Sequence, residues 1–126
     1  MPQQDRREFS RLGEDLAAKF LNRQGYAILG RNYRVRGGEI DLIARLGDTV
    51  AFVEVKTRFR HSIRQTLMNV AYTKQKRLSE AARRFLLEHP AEGELRYRFD
   101  VILVFHFPDT DSFKIEHYPD AFDFIA

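Results

Sequence analysis

The spacing of hydrophobic and polar residues along the chain predicts two helices and five strands. Apolar residues recur at helical spacing after Ser10, a candidate N-cap, as far as about Arg23, and again within Leu67–His89 before Pro90. Within the fourth predicted strand, Val101–Phe105 is almost continuously apolar, as expected of a strand buried on both faces. The predicted strands are Tyr26–Val35, Ile40–Ala44, Val50–Val55, Arg96–Phe107 and Phe113–Tyr118.

Two of these strands form a predicted hairpin about Gly47-Asp48, a pair suited to a tight turn. Counting outward from that turn sets Asp41 opposite Glu54 and Glu39 opposite Lys56. Because side chains alternate along a strand, these charged residues share one face, and their apolar neighbours form the other face, which is the expected core side. The expected core face consists of Ile40, Leu42, Ala44, Ala51, Val53 and Val55.

The opposed carboxylates of Asp41 and Glu54 suggest a metal site. Like charges about 5 Å apart on neighbouring strands are destabilising, so the pair needs either a bound cation or a raised pKa on one carboxyl. Two carboxylates with water oxygens suit Mg²⁺ or Mn²⁺, and Lys56 could orient a water or stabilise charge on a phosphate. The alternative is an exposed hairpin face with ordinary charged residues, in which Lys56 pairs with Glu39 or Glu54.

An ordered set of motifs resembles the YraN-like bacterial family, a part of the PD-(D/E)xK, restriction-endonuclease-like nuclease superfamily that is similar to archaeal Holliday-junction resolvases. The matching strings are Gly13-Glu14, Gly38–Ala44, Phe52–Arg58 and Arg98–Ile102, and Ile40 stands where the superfamily name has proline. The resemblance implies an α/β fold, namely a restriction-endonuclease-like mixed β-sheet flanked by helices. It also implies divalent-metal binding and hydrolysis of a DNA phosphodiester bond.

The resemblance assigns roles to four residues of this chain. Asp41, Glu54 and Glu14 become the metal ligands, and together with Lys56 they become the catalytic residues. Glu14 lies at the margin of the buried stripe of the first helix, and the alternative is an acidic residue favoured there by the helix dipole. That stripe is predicted to consist of Leu12, Leu16, Ala17, Phe20 and Leu21.

Basic residues in three segments are candidate DNA contacts, and a solvated basic surface is the alternative in each case. They follow the first strand, occupy the loop-like stretch after Lys56 and lie on the second helix: Arg34, Arg36, Arg58, Arg60, Arg64, Lys74 and Arg77. Three further residues are weaker site candidates, namely Glu39, Gln75 and Asp100. Asp100 opens the apolar run of the fourth strand, where it could instead tie down a neighbouring loop.

Length and composition narrow the class of protein. A chain of 126 residues fits one domain, with its core at about residues 10–118. Cysteine is absent and the four histidines show no paired ligand spacing, which argues against disulfides and a zinc site. The polar start of the chain and the short apolar runs predict a cytoplasmic protein with no membrane partner.

The preferred function is a metal-dependent nuclease acting on branched or structured DNA. A DNA-binding or scaffolding module with the nuclease fold but no significant turnover is the second hypothesis, and purely structural carboxylates are the third. Resolvases that cut junctions symmetrically act as dimers, so the resemblance also implies that this chain could form a homodimer. The Phe113–Tyr118 edge or the aromatic tail could provide its interface.

Overall fold

A computed structural model describes residues 3–59 and 69–126, so the predictions for Arg60 and Arg64 lie outside the described residues. The described residues form one five-stranded sheet of order β1-β2-β3-β4-β5. Strands β3 and β4 are parallel and the other neighbours are antiparallel, which confirms the predicted α/β fold with a mixed sheet. The elements are α1 (Gln3–Arg23), β1 (Ala27–Val35), β2 (Gly38–Leu46), β3 (Thr49–Phe59), α2 (Tyr72–Glu88), β4 (Arg96–Phe107) and β5 (Ser112–Phe122).

The sheet is buried on both faces, and each face packs against one helix. Ala17, Ala18 and Leu21 of α1 lie in one core cluster with alternate residues of β2, β3 and β4. Leu78 and Phe85 of α2 lie in the other cluster with the intervening strand residues. The expectation of a single core face on the hairpin was therefore incomplete, because it did not include the helix that lies far along the chain. The α2 side also buries Ile40, Ile43, Val50 and Phe52.

Strand β4 has the burial that its apolar run predicts. Val101 through Phe105 are all buried, and alternate members of the run belong to the two different clusters. The strand has a neighbour on each side, parallel β3 and antiparallel β5. A strand in this position has no solvated face, which is why its sequence lacks the usual alternation of polar and apolar residues.

Helix α1 begins at Gln3, seven residues before the predicted N-cap Ser10. Phe9 explains the longer helix, because its ring stacks on Phe59 at the end of β3 with the centroids 5.0 Å apart. That contact joins residues distant in the chain, so no local capping signal reports it. Leu12, which was expected in the buried stripe, is 42% exposed.

The last residues of the chain fold back on α2 and on the adjacent face of the sheet. The backbone N–H of Ile125 donates to the Ser79 hydroxyl at 3.0 Å, and Arg83 donates to the Ile125 carbonyl at 2.6 Å. Phe124 packs edge-on against Phe99 with a centroid distance of 4.7 Å. The final strand is also longer than predicted, since β5 continues to Phe122.

Candidate active site

Asp41 lies where β2 and β3 part. The predicted hairpin register is correct from the Leu46–Thr49 pair inward, but the ladder ends at the Leu42–Val53 pair. The expected pairings of Asp41 with Glu54 and of Glu39 with Lys56 are therefore absent as ladder pairs. Instead, Oδ2 of Asp41 accepts the backbone N–H of Val55 at 2.8 Å, so a side chain takes the place of the missing backbone acceptor.

The regular alternation of side chains between the two faces of β2 is interrupted at Asp41. Ile40 packs in the cluster below α2, whereas Leu42, two residues later, packs in the cluster below α1. On the adjacent edge strand, Asn32 has a φ of 51°, a left-handed conformation that asparagine tolerates better than most residues. The sequence analysis did not identify Asn32, and an asparagine in the middle of a strand pattern was the signal that could have found it.

Glu54 is the most perturbed group of the site. The residue is 6% exposed and its side chain lies beside Asp41. Burial, followed by the hydrogen bond and the charge of Asp41, raises the pKa of Glu54 to about 9. The expected proximity of the two carboxyls is thus confirmed, and a proton on Glu54 relieves their repulsion in the absence of a cation.

Two further charged residues border Glu54 on the α2 side. Nζ of Lys74 lies 2.9 Å from Oε1 of Glu39 and 3.6 Å from Oε2 of Glu54. The hydrogen bond from Lys74 lowers the pKa of Glu39 despite partial burial. Burial alone would lower the pKa of Lys74, but Glu54 and Glu39 together raise it. Lys74 is therefore a counter-ion inside the site, and its DNA contact stays a prediction.

Lys56 follows Glu54 by two residues and shares its side of the strand. Its ammonium donates to the carbonyl of Asn69 at 3.2 Å. Burial lowers the pKa of Lys56, and Arg58 and Lys74 add to that effect while Glu54 opposes it. The side chain is half-buried, and the charge of Glu54 acts on its ammonium, so Lys56 lies beside the acidic pair.

Helix α1 brings Glu14 to the other side of Asp41. Burial and then the charge of Asp41 raise the pKa of Glu14, while a hydrogen bond with Asn32 and the charges of Arg31 and Arg34 lower it. The close approach of α1 to β3 positions this residue, because Gly13 lies against Thr57 with no room for a Cβ atom. The structure thus places Glu14 and Glu54 each beside Asp41, where the strands separate.

The donor set fits a cation bound by two carboxylates rather than by a preformed cage. Among residues 3–59 and 69–126, no group of three or more His, Asp or Glu residues is arranged to hold a metal ion. Asp41 and Glu54 offer hard oxygen ligands beside each other, and the charge of Asp41 is one cause, after burial, of the raised pKa of Glu54. Mg²⁺ commonly binds proteins through one or two carboxylates and keeps several waters, so the pair is sufficient for it.

The predicted DNA-contacting arginines that the structure describes lie at the surface, and the charges of Arg34 and Arg77 both act on Glu39. Arg34, Arg36, Arg58 and Arg77 are exposed. Arg34 lies 3.7 Å from the Glu39 carboxylate, and Arg58 donates to the carbonyl of Thr57 at 2.8 Å. Arg34 therefore borders the acidic site through Glu39.

Gln75 and Asp100 have structural partners. The side-chain amide of Gln75 donates to the carbonyl of Val70 at 2.7 Å, which ties the segment before α2 to the helix. Asp100 is fully buried and accepts hydrogen bonds from Arg98, from His117 and from the backbone N–H of Asp120. It lies on the α1 side of β4, opposite to Glu54, and it ties β4 to the neighbouring strand β5 rather than to a loop.

An open cleft of about 800 Å³ borders the site between the first half of α1 and the edge strand β1. Glu14, Asn32 and Arg34 lie at its inner side, and arginines of α1 line the rest. Arg6 and Arg7 precede Ser10, so the predicted N-cap had placed these two cleft residues outside the helix.

No helix in the described part of the chain is both long and apolar enough to cross a membrane.

Comparison with known proteins gives the chain a family. It is similar to a UPF0102 protein of Chloroherpeton thalassium, with 43% identity over 123 residues that cover 90% of this chain and 92% of the relative. A UPF0102 protein of Chlorobium chlorochromatii is 45% identical over 119 residues, which cover 91% of each chain. One of Myxococcus xanthus is 38% identical over 119 residues, covering 94% of this chain and 92% of the relative. The family model matches residues 13–104, and the chain therefore belongs to the uncharacterised protein family UPF0102.

Proposed function

We propose that the protein is a divalent-metal-dependent nuclease that hydrolyses phosphodiester bonds of DNA, with branched or structured DNA as its substrate. The observation that carries the proposal is the convergence of Asp41 and Glu54 in a half-enclosed site. Burial and mutual repulsion raise the pKa of Glu54 to about 9, so this site holds a proton that a cation could replace. Perturbed carboxyls with a lysine beside them are typical of functional sites.

The order of motifs supports the same proposal. Asp41, Glu54 and Lys56 resemble the D…ExK core of the PD-(D/E)xK nucleases, and Glu14 matches the glutamate on the first helix of these enzymes. The similarity to archaeal Holliday-junction resolvases favours a branched substrate. Function belongs to sites rather than to folds, so this resemblance adds to the argument from the carboxyl pair and does not replace it.

Each residue of the site has a role in the proposed reaction. Asp41 and Glu54 would hold Mg²⁺ or Mn²⁺ through carboxylate oxygens, with Glu14 contributing through water or directly. The bound ion would polarise the phosphate and lower the pKa of a coordinated water. Lys56 orients the attacking water and stabilises negative charge on the phosphate. Lys74 keeps Glu54 in position and moderates the negative charge of the pair.

Cleavage of a labelled DNA panel tests the proposal. The panel contains single strand, duplex, flap and four-way junction, each incubated with Mg²⁺ or Mn²⁺. We expect the wild-type protein to cut at least one member and Glu54→Gln and Lys56→Ala to lose at least a hundredfold in rate, as is usual when a charge-stabilising group is removed. Asp48→Asn, which changes a carboxylate at the far end of the same hairpin, is the matched control and should cut normally.

A DNA-binding or scaffolding module without significant turnover is the second candidate. Lys74 favours it, since its ammonium lies 3.6 Å from Glu54 and already compensates part of the negative charge. Absence of cutting by the wild-type protein across the panel, with salt-sensitive binding intact, would support the module and contradict the enzyme.

A homodimer formed through the edge strand β5 is a further proposal, and light scattering measures it directly. A cytoplasmic location is also a proposal, and cell fractionation measures it directly.

A further inference from the structure

The cleft beside the acidic site has a strongly basic lining. Two elements supply it, since three of its arginines lie on the first half of α1 and the fourth lies on β1. The described walls of the cleft also contain one carboxylate, that of Glu14 at the inner side. The lining consists of Gln3, Arg6, Arg7, Ser10, Arg11, Glu14, Asn32 and Arg34.

The geometry of α1 keeps the arginines together. Arg7, Arg11 and Glu14 are spaced by four and three residues, so they lie along one side of the helix. The adjacent Phe9 anchors the same helical turns by stacking on Phe59. The first turns of α1 precede the predicted N-cap Ser10, and the packing of Phe9 on Phe59 holds their arginines at the cleft.

The cleft approaches the acidic pair through Glu14. Glu14 lines the cleft and interacts electrostatically with Asp41. Asn32 lines the cleft and hydrogen-bonds Glu14. A polyanion held by the arginines would therefore lie one side chain away from Asp41, on the side of the site opposite to Lys74.

We propose that this cleft binds the phosphate backbone of a nucleic-acid strand and leads that strand to Asp41 and Glu54. Arg7 and Arg11 on α1 and Arg34 on β1 are the proposed phosphate contacts. The assignment of the strand as substrate rests on the proposed nuclease function, whereas binding in the cleft can be measured without it. Guanidinium groups suit this role because they donate paired hydrogen bonds to phosphate oxygens.

The opposing interpretation is an ordinary solvated face of a charged helix. It predicts that any two exposed arginines contribute equally to nucleic-acid binding through net charge alone. The chain offers a matched comparison, since Arg23 in the last turn of α1 and Arg45 near the hairpin turn are exposed and lie outside the cleft lining. Removing either pair changes the net charge by the same amount.

The experiment measures binding of a fluorescent oligonucleotide by anisotropy in EDTA, where cleavage cannot occur. The wild-type protein is compared with Arg7→Ala/Arg11→Ala and with the control Arg23→Ala/Arg45→Ala, over a range of salt concentrations. We expect the cleft variant to bind single-stranded DNA about tenfold more weakly and to lose about 1.4 from the salt slope, since each lost phosphate contact removes roughly 0.7. The control pair should stay within about twofold of wild type.

A conservative variant shows whether weaker binding results from the lost positive charge in the cleft or from unfolding of α1. Arg7→Lys/Arg11→Lys should keep most of the affinity and the whole salt slope, and circular dichroism verifies that each variant remains folded. Equal losses in the cleft and control variants, or no loss in either, would overturn the proposal. Absence of cleavage in the DNA panel alongside a selective loss in the cleft variant would reject the nuclease but retain the binding cleft.

Discussion

Glu54 and Asp41 illustrate how much one residue depends on its surroundings. The same carboxyl on an exposed strand would titrate near its ordinary value, but here burial and the Asp41 carboxyl raise the pKa to about 9. Asp41 cannot move away, because its Oδ2 is held by the backbone N–H of Val55. This hydrogen bond keeps Asp41 beside Glu54, and a proton on Glu54 together with the charge of Lys74 reduces the repulsion between the two groups.

The raised pKa predicts a pH dependence of stability. The unfolded chain loses the Glu54 proton near pH 4.5 and the folded protein loses it near pH 9, so the folded state binds more protons between these values. This contribution is fully present below about pH 4.5 and is lost as the pH rises towards 9. We expect Glu54→Gln to gain stability relative to wild type across this window, by at most about 1.4 kcal/mol per pH unit. Urea denaturation of both proteins from pH 5 to pH 9 measures it.

The control for this prediction is Glu80→Gln, which changes a half-exposed glutamate of α2. Its stability difference from wild type should not vary with pH over the same window. A constant difference for Glu54→Gln would contradict the proton assignment. If the pair binds Mg²⁺ as proposed, added Mg²⁺ should flatten the pH dependence of the wild-type protein, because the cation would take the place of the proton on Glu54.

Asp100 has a structural role in a buried network, and one substitution distinguishes this role from a role in the acidic site. Asp100→Asn removes the charge that pairs with Arg98 and His117 in a buried network. We expect a loss of about 3 kcal/mol in the free energy of unfolding, as is usual when one partner of a buried pair is removed. Asp111→Asn, an exposed aspartate that also faces a histidine, should change stability by less than about 0.5 kcal/mol. Loss of DNA cleavage by Asp100→Asn without loss of stability would assign it to the site instead.

At the scale of elements, the two helices approach the sheet through glycines. A Cβ atom at Gly13 would lie 1.7 Å from Oγ1 of Thr57, and one at Gly38 would lie 2.3 Å from the backbone carbonyl of Arg77. The first contact brings α1 against β3, and the second brings α2 against β2. Both contacts flank the acidic site, so the helix positions that set Glu14 and Lys74 depend on residues with no side chain.

Substitution of Gly13 tests this dependence. Alanine favours a helix over glycine by about 1 kcal/mol, but the overlap with Thr57 forces α1 away from the sheet. We expect Gly13→Ala to lower the free energy of unfolding by about 1–3 kcal/mol, measured by chemical denaturation. Ser10→Ala, an exposed change on the same helix, should be neutral or slightly stabilising. A more stable Gly13→Ala protein would show that α1 does not need the close approach.

At the scale of the whole molecule, the sheet brings together residues from three distant segments. Glu14 comes from α1, Asp41 and Glu54 from the hairpin, and Lys74 from α2. The parallel pairing of β3 with β4 requires the long connection that contains α2, and this connection places α2 across the face that carries Glu54. The basic cleft and the acidic pair therefore become neighbours only in the folded chain.

Thermal unfolding with Mg²⁺ tests the site as a unit. Millimolar Mg²⁺ should raise the melting temperature of the wild-type protein, because a ligand of the folded state at 100 times its Kd stabilises by about 2.7 kcal/mol. Asp41→Asn should be more stable than wild type without metal, since it removes a charge that raises the pKa of Glu54 and keeps an acceptor for Val55, and it should not respond to Mg²⁺. Asp48→Asn serves as the control at matched ionic strength. An equal response in all three proteins would indicate metal binding elsewhere.

Most of the strand layout could be predicted from local pattern. The Gly47-Asp48 turn sets its own register, and Arg96–Phe107 matches β4 at both ends because a buried strand has an unbroken apolar sequence. The start of α1 could not be predicted, since Phe9 is held by Phe59 from another part of the chain. The second core face was also missed, because periodicity within a hairpin carries no information about a helix that packs on it.

The sequence by itself determined the order of the elements, the hairpin register near its turn and the identity of Asp41, Glu54, Lys56 and Glu14 as residues to examine. Only the tertiary structure decided how those residues meet. The strands part at Asp41, Lys74 from α2 becomes the counter-ion, and the arginines of α1 line a cleft beside Glu14. The reason is physical: turns and periodicity act over a few residues, whereas burial, charge pairing and close backbone approach depend on segments far apart in the chain.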